Sequence, residues 1–422
     1  MTARDTNPRE PHPPNGDLGD PAVRFVAEPD GRSTRVELFV DGRSVSRCWI
    51  VSLTIRIGDA AVRMDGLGGV GTDLAERRKG YSRRVIEAAL RRIDSGDAAL
   101  TMLYGIPDFY VRFGYVPAGP DHFIRMPAQP RAVLPRGYSA RALQAADVAA
   151  MCNLYARQIR SEVGAAVRPD QCYVHRRFRE AVIEHGPNSG AATGKCSPIH
   201  YRDRCRVVAG PDGTARGYAW RADGFWAADL LQREAPECLI IGETVAEDAE
   251  AAGALLETCA AWAREVADHT GRSIEHVLLS APHDGLIGRA AIGRDALLAK
   301  KYTRCGGSMA RVCDMKRLIH QMAPELRRRL DDAGLRHNDP ITFVTGRGTA
   351  TLAPTNGRDT GRRMVIECRT PWITQAVLGA ALPYEVVEGE SVHKGRITAE
   401  QLQWIRALFP PRCPHMYLPD RY

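Results

Sequence analysis

The chain has 422 residues, 44% of them hydrophobic and 26% charged, with 58 lysines and arginines against 50 aspartates and glutamates for a net charge of +8. At about 150 residues per domain, this length predicts two to four domains, with cores large enough to need no disulfide or metal staple. The composition excludes a disordered chain. No apolar stretch approaches the roughly 18 residues of a membrane-spanning helix, and the charge excess is too thin for a nucleic-acid binder while it suits a small anionic ligand.

Eleven cysteines are scattered without a C-x-x-C pair or a zinc-like spacing. The first residues, Met1 to Asp5, open no apolar leader. These features predict a reducing, cytoplasmic setting and no metal.

Residues 1–22 are rich in proline and poor in large apolar side chains, and read as a disordered N-terminal arm. Strands follow: Arg35–Val40 alternates, Asp41-Gly42 signals a hairpin, and Ser46–Ile57 is a long β-rich run. Ala60–Asp65 opens another strand that runs into Gly66, Gly68, Gly69 and Gly71. Val85, Ile86, Ala89, Leu90 and Ile93 recur at helical spacing and predict an amphipathic helix over about 80–93. Ala98–Tyr104 fits a buried strand, and Pro107-Asp108 begins a brief helical turn that Gly114 ends. The pattern is α/β, with one crossover helix on a mostly antiparallel sheet.

Prolines 127, 130 and 135 mark a linker. Beyond it the spacing predicts a helix over 147–162, strands within 205–220 and 238–244, a helix over 250–266, a strand over 275–280 and a helix over 288–300. From Met315 come one amphipathic helix, strands at 341–345, 349–352 and 364–368, and helices near 372–381 and 398–408. The expected organisation is therefore an arm (1–22) and three domains (23–130, 131–308 and 309–422).

The stretch Val70-Gly71-Thr72-Asp73-Leu74-Ala75-Glu76-Arg77-Arg78-Lys79-Gly80-Tyr81-Ser82 carries the most chemistry. A strand ends, three basic residues turn, and a glycine opens a helix. Unpaired N–H groups and the positive end of the helix dipole make such a terminus an anion site. Arg77, Arg78, Lys79 and Arg83 would add charge for a diphosphate. The competing pattern, Gly66-x-Gly68-x-x-Gly71, matches a dinucleotide fingerprint, but a basic turn separates it from the helix it should open.

Arg77-x-x-Gly80-x-Ser82 resembles the R/Q-x-x-G-x-G/A signature of GNAT acetyltransferases, with Ser82 in the last small position. Phe109-Tyr110-Val111-Arg112-Phe113-Gly114-Tyr115 is similar to the GNAT segment that leads to a tyrosine beside the thioester sulfur. The resemblance implies acetyl-CoA as co-substrate, held by Val70, Gly71, Thr72, Arg78, Lys79, Gly80, Tyr81, Ser82, Arg83, Tyr110 and Val111. It also implies two diverging strands that admit the pantetheine arm, and Tyr115 as the acid that protonates the departing thiolate.

Over about residues 23–422 the element order looks like the Eis (enhanced intracellular survival) group. That likeness implies a GNAT domain, a second GNAT-like domain without a cofactor loop, and a C-terminal domain similar to sterol carrier protein. It further implies that the carboxylate of Tyr422 acts as general base, that the acceptor is a primary amine of an aminoglycoside-like molecule or a lysine attacking directly in a ternary complex, and that the protein assembles as a hexamer. No nucleic acid, membrane or metal is expected. The other functional readings are an acetyl-CoA sensor without turnover and a lipid-binding module.

Overall fold

The β-branched and alternating runs after Ala22 form a meander: β1 (Val23–Ala27), β2 (Ser33–Val40), β3 (Arg43–Ile57) and β4 (Ala60–Thr72), each antiparallel to the next. In this computed structural model residues 22–130, 132–169, 174, 204–303, 306–335, 339–354, 364–380 and 398–422 are described. The expected arm, Ala22 excepted, lies outside them. The described residues divide into two compact units. One joins the chain up to Pro120 with Thr303–Arg412 and Tyr422; the other takes Asp121–Tyr302 and Cys413–Arg421.

In the first unit, α1 (Tyr81–Ser95) crosses from β4 to β5 (Leu100–Gly105), which runs parallel to β4. The five apolar positions that predicted α1 are all buried, against Val36, Leu38, Cys48, Ile50 and Leu67. Then come α2 (Pro107–Tyr110), a 3-10 turn at Val111–Phe113 and β6 (Val116–Pro117). β16 (Gly307–Val312) inserts antiparallel between β5 and β6, giving the order β1-β2-β3-β4-β5-β16-β6. Among the described residues, only the 3-10 turn Leu74–Glu76 precedes α1 as helix. The Gly66–Gly71 pattern lies inside β4, paired with β3, so the dinucleotide reading fails on geometry.

The same unit contains α7 (Met315–Asp332), a sheet in the order β18 (Gly348–Leu352), β17 (Ile341–Thr345), β19 (Met364–Glu367), and the helices α8 (Thr370–Val377) and α9 (Ala399–Leu408). Buried Glu325 of α7 accepts the Asp59 N–H at 3.0 Å in the β3–β4 turn. Gly58 there adopts a positive φ of 59°, and a Cβ would collide with the Glu325 carboxylate. One helix thus pins the end of the hairpin that carries β4.

The second unit has two sheets. One runs β13 (Glu243–Ala246), β11 (Ala215–Trp220), β10 (Cys205–Ala209), β8 (Ser139–Ala142); the other runs β12 (Cys238–Ile241), β14 (His276–Ser280), β7 (Asp121–Pro127), β15 (Leu297–Lys301). Its remaining elements are α3 (Asp147–Gln158), β9 (Val163–Ala166), α4 (Trp226–Glu234), α5 (Ala249–Thr270) and α6 (Leu286–Ala291). α5 buries Leu255, Leu256, Cys259, Trp262 and Ala263 against β12 and β14 residues.

The helix expected over 288–300 is formed only in its first part. α6 ends at Ala291, Asp295 takes a left-handed φ of 52°, and Leu297–Lys301 pairs with β7 as an edge strand. The Leu-Leu-Ala run fits either period, and the unsatisfied edge of β7 decides for strand.

Candidate active site

β4 pairs with β5 from Met64↔Leu100 to Gly66↔Met102. Past that point β4 continues to Thr72 against β3, β5 continues to Gly105 against β16, and the two strands part. Between Trp49↔Gly68 and Arg47↔Gly71 the β3–β4 register shifts, because β4 carries an extra residue. Gly69 takes φ 59° within this bulge, and the Trp49 ring fills the space a Cβ would need. A bulge leaves main-chain groups outside the ladder and re-aims them. The Ser46 hydroxyl fixes its far end, donating to the Gly71 carbonyl at 3.0 Å and lying 2.8 Å from the Thr72 hydroxyl.

The basic turn follows. Arg77 folds back to donate from Nε to the Thr72 carbonyl at 3.3 Å, and Lys79 pairs with Glu76 at 2.9 Å. Exposed Arg78 has φ 66° and Gly80 has φ 81°, so two left-handed residues flank Lys79. Successive turns of this kind point amides into one concavity. Gly80 is the N-cap of α1, and no side chain caps the terminus. No protein atom lies within 4 Å of where a Gly80 Cβ would be, and glycine adopts this left-handed conformation at no steric cost. Tyr81, Ser82 and Arg83 form the first turn, with Tyr81 and Ser82 half-buried and Arg83 exposed.

Tyr115 is 1% exposed and packs in the core beside α1. Its hydroxyl lies 2.8 Å from the Thr101 hydroxyl on β5. Burial pushes the phenol far above its ordinary value, and the Thr101 contact opposes this. The Tyr110 ring sits edge-on, 6.2 Å from that of Tyr115, and covers Gly105, where a Cβ would collide with it. Burial raises the Tyr110 phenol to about 12. Val111 is exposed.

Tyr422 lies against the other face of β4. A Cβ on Gly66 would collide with its ring, and one on Gly68 would lie 3.2 Å from its carboxyl carbon. Its ring meets Tyr104 of β5 at 5.8 Å, edge to face, and its hydroxyl is 3.7 Å from the Met64 sulfur. Burial is the main cause that holds the Tyr422 phenol well above its usual value. Tyr422 and Tyr115 therefore flank the parting of β4 and β5, while Val70, Gly71 and Thr72 line the bulge, and Arg78 to Arg83 form the helix mouth farther along the chain. Sequence reasoning missed Thr101 and Tyr104 beside this parting. Strand alternation could have put Gly66 and Gly68 on one face, but nothing local marks what covers them.

Among the described residues no cluster of histidine, cysteine and carboxylate side chains could hold a metal, and no helix is long and apolar enough to cross a membrane. Residues 26–118 match the family model described as an acetyltransferase (GNAT) domain. No curated protein matches the chain. Among solved structures, a probable N-acyltransferase from Enterococcus faecalis V583 is similar with TM-score 0.63 and 13% identity, covering 93% of this chain and 90% of that one. A GCN5-related N-acetyltransferase from Anabaena variabilis gives TM-score 0.61 at 13% identity, covering 92% and 89%. Eis1 from Mycobacterium abscessus gives 0.57 at 16%, covering 93% and 90%. Parting parallel strands, a bulged β4, an uncapped crossover helix and the matching model agree: the chain carries a GNAT-type acetyltransferase domain over residues 26–118.

Proposed function

We propose that the protein transfers acetyl from acetyl-CoA to a primary amine, in the manner of the Eis group, with an aminoglycoside-like molecule or a lysine as acceptor. The observation that carries the reading is the α1 terminus: a helix mouth with no side-chain cap, preceded by two left-handed residues and three basic ones. Such a mouth suits a diphosphate, through main-chain N–H groups of about residues 78–82 and the charges of Arg78, Lys79 and Arg83. When bound, acetyl-CoA supplies an acyl group on a good thiolate leaving group. Val70, Gly71 and Thr72 would give main-chain contacts along the bulge, and Tyr110 and Val111 would border the thiol end.

Tyr422 is the general base of this reading. An amine must lose a proton to attack, and a carboxylate near Gly68 can take it directly or through a water. Tyr115 is the acid. Its strongly raised pKa makes full transfer to a thiolate uphill, so its role is to donate a hydrogen bond to sulfur.

Calorimetric titration with acetyl-CoA should give a dissociation constant in the micromolar range usual for enzyme substrates. A panel of amines should include at least one that releases CoA thiol. Absence of heat, together with no competition by CoA, would remove the reading. Tyr115→Phe should lower kcat by about 10²-fold with cofactor affinity intact; an unchanged kcat would remove Tyr115 from the chemistry.

A further inference from the structure

On one face, β4 presents no side chain where it leaves β5. Gly66 and Gly68 are buried and share one face of the strand. The wall on that face is instead the ring of Tyr422, which lies where a Gly66 Cβ would be and 3.3 Å, at Cδ2, from where a Gly68 Cβ would be. Tyr104 braces the ring from β5 and Met64 meets its hydroxyl. Across the sheet the opposite wall is closed by Tyr115, tied to Thr101. An aromatic ring laid on bare backbone fills volume that even an alanine pair would have occupied only in part, and a substitution at position 422 removes it without touching either strand.

We propose that the Tyr422 ring sets the acyl length this protein accepts. It leaves room for a two-carbon acyl group at the parting of β4 and β5 and excludes a four-carbon one. The inference rests on the acetyl-CoA reading above and assigns the ring a role separate from the carboxylate of the same residue. Tyr422→Ala keeps a carboxylate at position 422 and removes the wall. Tyr422→Phe keeps the wall and removes only the hydroxyl.

The test is binding, so it does not depend on finding the amine. Dissociation constants are measured by calorimetry for CoA, acetyl-CoA and butanoyl-CoA with the full chain and both variants. The nucleotide end is common to all three ligands, so their ratios report the acyl end alone. The unsubstituted protein should favour acetyl-CoA over butanoyl-CoA. Tyr422→Ala should shift that ratio toward butanoyl-CoA by about 15-fold, the worth of two buried methylenes at about 0.8 kcal/mol each. Tyr422→Phe should leave the ratio unchanged. A shift below fivefold in the alanine variant, with acetyl-CoA still bound, overturns the inference and leaves the acetyl-CoA reading standing. Failure of the unsubstituted protein to bind any of the three overturns both.

Discussion

The N-termini of α1 and α5 occupy the same place in a strand-helix-strand sequence and are finished in opposite ways. α1 begins at Gly80 with no side-chain acceptor, after Arg77, Arg78 and Lys79. α5 begins at Asp248, whose carboxylate accepts the Ala251 N–H at 2.8 Å, and Glu247 and Glu250 flank it. Glu247 is itself held by Arg157 at 2.9 Å and Arg216 at 2.8 Å. The strands differ in parallel. β4 is continuous through its bulge, whereas the second unit breaks at Gly242: β12 pairs with β14, and β13 pairs with β11. The Gly242 carbonyl accepts the Leu418 N–H at 3.3 Å, so a segment of the chain itself closes that break. A helix terminus attracts an anion only while its amides and its field are unanswered. In α5 a carboxylate of the chain answers both.

The second unit also buries acids. Arg168, 1% exposed at its side chain, joins Glu243 and Asp420, the latter at 2.6 Å. Among the described residues Glu162 has no cation partner. It accepts from Tyr417 at 2.9 Å and from Gln158 at 3.0 Å, and its second oxygen is unpartnered. Burial raises its pKa from the usual 4.5 to about 7, opposed by those two hydrogen bonds, while Asp284 and Glu243 add to the rise. The folded state therefore holds this proton more tightly than the unfolded state. The stability contribution is full below pH 4.5, is lost as pH rises to about 7, and is flat above. At 1.36 kcal/mol per unit the window spans about 3 kcal/mol. Urea midpoints at pH 5 and pH 8 should differ by this component, and Glu162→Gln should remove it. A variant that keeps the slope would assign the titration to another group.

Next in size is the terminus of α1. Gly80→Asp would place a carboxylate at the mouth of α1, as Asp248 does at α5. The carboxylate competes with a bound diphosphate for the same amides, and acetyl-CoA affinity should fall by about 30-fold, or about 2 kcal/mol. Gly80→Asn adopts the left-handed φ as readily and brings no charge. Its affinity should stay several-fold closer to that of the unsubstituted protein, and equal losses in the two variants would show that strain, not charge, is what matters at this position.

The α1 site was legible because its signal is contiguous. The stripe from Val85 to Ile93, the basic turn and Gly80 sit within a few turns of one another, so period and composition suffice. The left-handed φ of Gly80 has no local signal beyond the residue being glycine. The 288–300 segment was misread because Leu297 and Leu298 fit both periods, and a distant strand, β7, claims them. Arg168, Glu243 and Asp420 could not be joined in advance, since nothing in their local patterns encodes a partner so far away in the chain. The same holds for Tyr422 on Gly66: its expected place came from family likeness, not from its neighbours.

The smallest effect tests the comparison from the other side. Asp248→Ala should cost about 1 kcal/mol, the usual worth of a lost N-cap, and lower the melting temperature of a body of 150–250 residues by about 2–4 °C. If a missing cap were sufficient for an anion site, the variant would also gain affinity for CoA. It should not, because Leu418 still closes the break at Gly242. Calorimetry on a variant that combines Asp248→Ala with a α1 terminus blocked by Gly80→Asp isolates α5. Heat of CoA binding in that double variant would mean that the cap alone distinguishes the two helices. Silence would mean that the filled strand break matters as well as the cap itself.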